Sequence, residues 1–214
     1  GNHTDVLLTK RHEGWGPDWV TLGLNGSDGK VVFGFDGDHY WDGIESPMSI
    51  VDNQWHHVVG VKSGNTISLY VDGHLLDTES FSRPFGSSYN LQFGQSGAWN
   101  QISQPNHFNG KLSLIRVWDV ALTSEQIQSY MHCSPSITEQ GLVGCWNFNE
   151  GSGDTVYDIS GNGNHGIIYG ASFIEDVPEH NCDVNTDIAT IEEEQQNYSM
   201  IFDGVDDRVD VGLG

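Results

Sequence analysis

Two Gly-rich turns carry the residues best suited to hold a hard cation. The first is Asp158-Ile-Ser-Gly-Asn162-Gly-Asn164-His-Gly. Here the Asp158 carboxylate and the oxygens around Asn162 and Asn164 form an all-oxygen set of the kind Ca²⁺ takes. The second is Phe202-Asp203-Gly204-Val205-Asp206-Asp207, where Asp203, Asp206 and Asp207 offer three carboxylates within five residues. The same residue types also build plain turns, because Asn and Gly accept positive φ and Asp caps hairpin bends. A third acidic segment, Asp183-x-Asn185-x-Asp187 with Glu194, has the opening and the twelfth position of an EF-type loop. Its sixth position is Ile188, where that loop needs Gly for a sharp turn. It reads as a solvated acidic linker.

The next group of residues suits sugar binding. Sugar sites need flat aromatic faces for the C–H surface of the ring and Asn, Asp or Gln for its hydroxyls. Residues 35–47 supply Asp38, His39, Tyr40, Trp41 and Asp42, and residues 94–107 supply Trp99, Asn100, Gln101 and Asn106. Trp15 and Trp19 form a third aromatic group. The first two segments read as loops. Catalytic signatures are missing: there is no G-x-S-x-G elbow, no Walker loop and no H-E-x-x-H. His57 follows Trp55 and His56 in an alternating run and is expected as a satisfied core histidine rather than a base.

These side chains have to be carried by strands. The 214 residues contain 27 Gly and 11% aromatics, and only 18% of residues are charged. Such a composition favours strands over helices and a packed core over disorder. The 30 acidic and 8 basic residues give a formal charge of −22. This charge repels phosphate and disfavours nucleic acid and anionic membranes as partners. No apolar run approaches the roughly 20 residues of a transmembrane helix. Residue 1 is Gly, and the sequence reads as a piece of a longer chain.

Short strand-like runs recur at 5–10, 19–25, 30–35, 55–62, 66–73, 89–94, 111–118, 142–148, 165–173, 198–204 and 208–212. Ile67, Leu69 and Val71 alternate with Thr66, Ser68 and Tyr70, and Asp72-Gly73 then signals a hairpin. One helix is expected near 124–131, capped by Thr123 with Gln126 closing a capping box. Many short strands, regular turns and one small helix predict an all-β antiparallel sandwich. Of the three cysteines, Cys145 lies in a strand-like run and is expected as a buried free thiol. Cys133 and Cys182 lie in polar loops. A bridge between them is favoured, and it would place the chain in an oxidising, extracellular setting. N-x-S/T sequons stand at Asn2, Asn25 and Asn197.

Four motifs resemble one family. QWHHVVGVKSGNTISLYVDGHLL (54–76) and FNGKLSLIRVWDVALTSEQI (108–127) resemble signatures of laminin G-like, concanavalin A-like sandwich domains, and the second also resembles pentraxins. GLVGCWNFNEGSGDTVYDISGNGNHGIIYGASF (141–173) and MIFDGVDDRVDVG (200–212) are similar to two further stretches of bacterial members. The resemblance implies a concanavalin A-like jelly roll, a Ca²⁺ site, and recognition of carbohydrate or of a surface partner without catalysis. Glucanases of this fold resemble E-x-D-x-x-E on one strand, which is missing here. The family's acidic pair in G-x-I-D-E is replaced by Ser113 and Leu114, and Gly94-Gln95 lacks the acidic residues that follow in pentraxins.

The order of the motifs departs from the family's. The last two motifs usually come first. The expected organisation is therefore a sandwich over 1–182, an acidic linker over 183–197, and a strand over 198–214 that completes this sandwich or a neighbour's. Three functions follow as expectations. The first is a module binding a neutral glycan or cell-surface partner with Ca²⁺. The second is a tandem adhesin or filament repeat that self-associates through 198–212, and the third is an appendage of a glycoside hydrolase.

Overall fold

The computed structural model describes residues 4–10, 19–37, 40–82, 90–95, 107–133, 135–178 and 197–211. The first four strands form a meander: β1 (Thr4–Lys10), β2 (Trp19–Asn25), β3 (Lys30–Gly37) and β4 (Tyr40–Ser49). Next come β5 (Val58–Ser63), β6 (Thr66–Val71) and β7 (His74–Ser80), a three-stranded antiparallel sheet. Asp72 and Gly73 both take positive φ at the β6–β7 hairpin (50° and 73°), as a two-residue primed turn requires. Short strands β8 (Leu91–Phe93), β9 (Asn109–Leu112) and β10 (Ile115–Trp118) lead to helix α1 (Ser124–His132). The expected capping box is present, with Thr123 accepting from the Gln126 N–H and Gln126 accepting from the Thr123 N–H.

The chain continues through β11 (Leu142–Trp146), β12 (Thr155–Val156), β13 (Gly166–Tyr169) and β14 (Ser172–Ile174) to β15 (Ser199–Asp203) and β16 (Arg208–Val211). The largest sheet has eight strands in the order β12-β13-β16-β8-β1-β2-β3-β4. The last strand in sequence thus lies between β8 and β13, inside the sheet. Its companion β15 pairs with β9 and β14.

Register explains the core. One row of opposed residues runs Ile168, Val209, Phe93, Leu8, Leu22, Phe33 and Ile44 across seven strands of that sheet. Directly opposed side chains share a face, so the row is one continuous apolar ridge. One end of the ridge joins a core of Leu91, Phe93, Trp146, Phe148, Val156, Met200, Phe202, Val209 and Val211. The other end joins Val31, Phe33, Ile44, Ile67, Leu69, Val71 and Phe81. The β5–β7 sheet covers the second core, and the β14-β15-β9 sheet covers the first. The result is an antiparallel β-sandwich with one short helix.

Three local expectations are corrected. Residues 35–47, expected as a loop, are mostly the β3–β4 hairpin, with Gly37 opposite Tyr40. Pro47 obscured this strand, but β4 is a sheet edge, where Pro is tolerated. The run 111–118 is two strands, broken at Leu114, whose φ is 49°. His57 faces away from the main core. Gly60, in the opposite alternation phase, lies against the Phe33 ring, which its Cβ would meet at 2.3 Å. Among the described residues the His57 Nδ1 is buried without a hydrogen-bond partner, so this nitrogen is enclosed rather than satisfied.

Candidate functional site

The turn between β15 and β16 gathers the three carboxylates of Asp203, Asp206 and Asp207, whose ligand oxygens lie within 4.8 Å of one another. Local bonds set this shape. The Val205 N–H donates to Asp203 Oδ1 at 2.8 Å, and the Asp203 N–H donates to Asp207 Oδ2. Phe202, 1% exposed, anchors the turn in the core. Asn109 Nδ2 donates to the Asp203 carbonyl at 3.1 Å and ties the turn to β9. Gly170 packs so close that a Cβ there would stand 2.2 Å from Asp207 Oδ1. Asp207 is 4% exposed. Burial pushes its carboxyl up, and the neighbouring Asp203 and Asp206 charges push the same way against the Asp203 N–H. An all-oxygen set with uncompensated negative charge suits Ca²⁺.

The 158–164 turn is assembled differently. Asp158 Oδ1 accepts from the N–H groups of Cys145 and Ser160, both at 2.9 Å, and Oδ2 accepts from the Asn164 N–H at 3.0 Å. Burial opposes ionisation of Asp158, but these bonds outweigh it and hold the carboxyl below its ordinary range. Asn162 and Asn164 turn their amide N–H groups onto the Leu142 and Val143 carbonyls of β11. The Asn164 carbonyl accepts from Trp146 Nε1 at 2.8 Å. Asp158, Asn162 and Asn164 are therefore brought together, as a staple of backbone donors and acceptors around a buried Trp. Gly161 to Gly166 also has the spacing G-x-G-x-x-G. It runs into strand β13 rather than a helix N-terminus, so it lacks the context of a phosphate cradle.

The aromatic segments are only partly in view. His39, Trp99 and Asn100 lie outside the described residues, as do Trp15 and Gln101. Tyr40 and Trp41 lie on β4. Gln95 and His107, which flank residues 96–106, face each other in an antiparallel bridge. His107 is two residues from Asn109, which pairs with Asp203, so this bridge lies beside the 203–207 turn. Cys145 is a free, buried thiol, as expected. Cys133 ends the helix, whereas Cys182, and with it the expected pairing, lies outside the described residues. So does the EF-like segment 183–194.

Two adjacent histidines have opposite surroundings. His56 bridges two carboxylates, with Nδ1 2.9 Å from Asp72 and Nε2 3.0 Å from Asp52. Partial burial opposes its charge, but Asp72 and Asp52 together outweigh it and raise its pKa. His57 is pushed down to about 4 by burial and by Arg116. The roles of Asn109 and Gly170 at the acidic turn were not readable in the sequence, since both lie far along the chain from 203–207. Their only signal is that β9 and β13–β14 border the closing strands.

The chain is similar to several known proteins. The sequence model of the concanavalin A-like lectin/glucanases superfamily matches residues 2–128. A stretch of 153 residues, 68% of the chain, is 24% identical to the sushi, von Willebrand factor type A, EGF and pentraxin domain-containing protein 1 of Rattus norvegicus. The chain spans 4% of the length of that relative. Among solved structures, a candidate carbohydrate binding protein of Bacteroides ovatus superposes with a TM-score of 0.57 at 19% identity, over 76% of this chain and 46% of that one. A heptameric SAP-like pentraxin of Limulus polyphemus gives 0.45 at 20% identity, over 63% of this chain and 65% of that one.

Proposed function

Because the chain belongs to the concanavalin A-like lectin/glucanases superfamily, we propose that it is a non-catalytic extracellular module that recognises carbohydrate with the help of Ca²⁺. The observation that carries this reading is the cluster of Asp203, Asp206 and Asp207 beside the Gln95–His107 bridge. The three carboxylates would hold the ion, which would offset most of their charge and present a coordination position to ligand hydroxyls. Trp99 and Asn100, which follow Gln95 in sequence, are the residues proposed to offer an aromatic face and an amide. Tyr40, Trp41 and His39 at the β3–β4 hairpin are a second source of such groups. A sulfated or uronic polymer is disfavoured by the charge of −22. A Cys133–Cys182 bridge, spanning the segment that separates the helix from the closing strands, belongs to the same extracellular reading.

Calcium titration by thermal melting, with chelator as control, tests the metal. A rise in melting temperature at millimolar Ca²⁺ that is lost in Asp207→Asn supports it, since an ion bound only by the folded state stabilises that state. No shift removes it. Glycan-array binding that falls in Trp99→Ala or Trp41→Ala supports the ligand. Self-association through 198–212 is the competing reading: an exchanged hairpin would make the same β8, β9, β13 and β14 pairings between copies. Concentration-dependent oligomers that vanish on deleting 198–214 would favour it.

A further inference from the structure

Asn is followed by Gly three times, at 25–26, 109–110 and 162–163. A Gly backbone nitrogen has no Cβ beside it as a shield, so it can reach the preceding Asn side chain and attack its amide carbon. The three sites are alike as dipeptides and differ in the fold. Asn162 turns Nδ2 onto the main-chain carbonyls of Leu142 and Val143, at 2.9 and 3.0 Å. Asn109 Nδ2 donates to the Asp203 carbonyl, and Asn109 and Gly110 lie in the β9–β15 pairing opposite Asp203 and Phe202. At both sites a main-chain carbonyl holds the nitrogen that would have to leave. At Asn109 ring closure would also distort a strand pair.

Asn25 is bonded at the other end of its amide. It ends β2 at the turn Gly26-Ser27-Asp28, whose three residues are exposed. Its Oδ1 accepts from Ser27 Oγ at 2.7 Å and from the Ser27 N–H at 3.1 Å. Two donors on one carbonyl oxygen draw charge from Cγ and make it a better electrophile. The ring closed by the Ser27 N–H bond runs through the Gly26 nitrogen, so the side chain is folded over the peptide that attacks it. Nδ2 donates to the side chain of Glu45, at 3.1 Å from Oε2, and the other oxygen of that carboxylate takes Lys30 Nζ at 2.9 Å.

We propose that Asn25 is a self-modifying site, at which the β2–β3 turn turns a side-chain amide into a carboxylate with water as the only co-reactant. The Gly26 nitrogen attacks Asn25 Cγ, and the negative charge that develops on Oδ1 falls where the two Ser27 donors already point. The Cγ–Nδ2 bond then breaks. The Gly26 amide proton leaves on the departing ammonia, and a five-membered succinimide remains. Water opens that ring at either carbonyl, which gives Asp or isoaspartate at position 25. The new carboxylate replaces a donor to Glu45 with a like charge, in a turn where Lys30 already serves both Asp28 and Glu45. Isoaspartate also lengthens the main chain by one methylene inside the hairpin. The reaction needs neither Ca²⁺ nor a bound ligand, so it stands apart from the function proposed above.

Incubation of the full chain in mildly alkaline buffer, followed by intact mass, peptide mapping and isoaspartyl methyltransferase labelling, tests it. The expected result is a gain of about 1 Da that maps to position 25 as a mixture of Asp and isoaspartate, with Asn109 and Asn162 intact. Gly26→Ala, at a position whose φ is not positive, should slow the gain about tenfold. Ser27→Ala removes one donor to Oδ1 and should slow it about fivefold. In denaturant the three Asn-Gly sites should react alike. Four results would overturn the proposal. The first is no gain at position 25, and the second is equal gain at all three sites of the folded chain. The third is a preference for position 25 that persists in denaturant, or a Ser27→Ala variant that reacts faster. The fourth is a stable loss of about 17 Da that Lys30→Arg abolishes, because the Lys30 amine rather than water would then have taken the carbonyl.

Discussion

The two cores of the sandwich are built from different spans of chain. The near core, Val31 to Phe81, is made by hairpins that follow one another: β3–β4, β5–β6 and β6–β7. The far core takes Leu7 from the first strand and Met200, Phe202, Val209 and Val211 from the last two. The near half is closed by local turns such as Asp72-Gly73. The far half is closed only when 199–211 docks against β8 and β9, whose paired residues lie 88 to 120 positions earlier in the chain. The acidic turn lies in that closing segment, so its site exists only once the far half is assembled.

The most severe way to break this comparison is to delete 198–214. Met200, Phe202, Val209 and Val211 are each at most 1% exposed. Truncating a single core side chain costs ~2–5 kcal/mol, and a whole domain has about 5–15 kcal/mol. The truncated chain should lose its far core, read as loss of the near-UV signal of buried Trp146, while near-half amides keep part of their protection. An unchanged melting temperature would contradict the division.

Single substitutions sharpen it. Phe202→Ala and Phe81→Ala should each cost ~3–5 kcal/mol in denaturant unfolding. Only the first should also shrink the Ca²⁺-induced rise in melting temperature. Equal shrinkage in both would mean that the two halves and the metal site form one unit.

The pH responses of His57 and Asp207 should have opposite signs. His57, in the near half, has a pKa depressed from 6.5 to about 4. Its contribution is whole above its ordinary pKa and is lost as pH falls from about 6.5 towards about 4. Asp207, in the far half, has a raised carboxyl. It favours folding at low pH and costs stability as pH rises through its folded value, a cost that bound Ca²⁺ would offset. His56 behaves like Asp207 in direction, since its raised pKa gives stability that is complete below its ordinary value and lost on going higher. Melting curves of His57→Gln should lose the decline on going below the ordinary histidine range, whereas those of Asp207→Asn should lose the decline that sets in as pH rises above the ordinary carboxyl range.

The smallest effect is at the helix. Thr123→Ala removes a cap that serves α1 alone and should cost about 1 kcal/mol, with no change in Ca²⁺ response.

Local chemistry was legible in the sequence where one residue governs one feature. Alternation located β6 through Ile67, Leu69 and Val71, and Thr123 with Gln126 located the helix start. Long-range pairing was not, because nothing local to Val209 says that it faces Phe93. β4 was hidden since Gly, Asp and Pro read as loop unless the strand's edge position is known. The two acidic turns read alike as sequence. Only their partners separate them: Asp158 is met by three N–H groups, whereas Asp207 is buried beside two other carboxylates.

Native-state hydrogen exchange with and without Ca²⁺ tests the central claim most directly, namely that the closing strands carry both the far core and the metal turn. The account predicts slower exchange in Ca²⁺ for amides of 199–211 and of their partners 109–112 and 166–169, with 58–80 unchanged. Unchanged exchange throughout, or an equal slowing in 58–80, would contradict it.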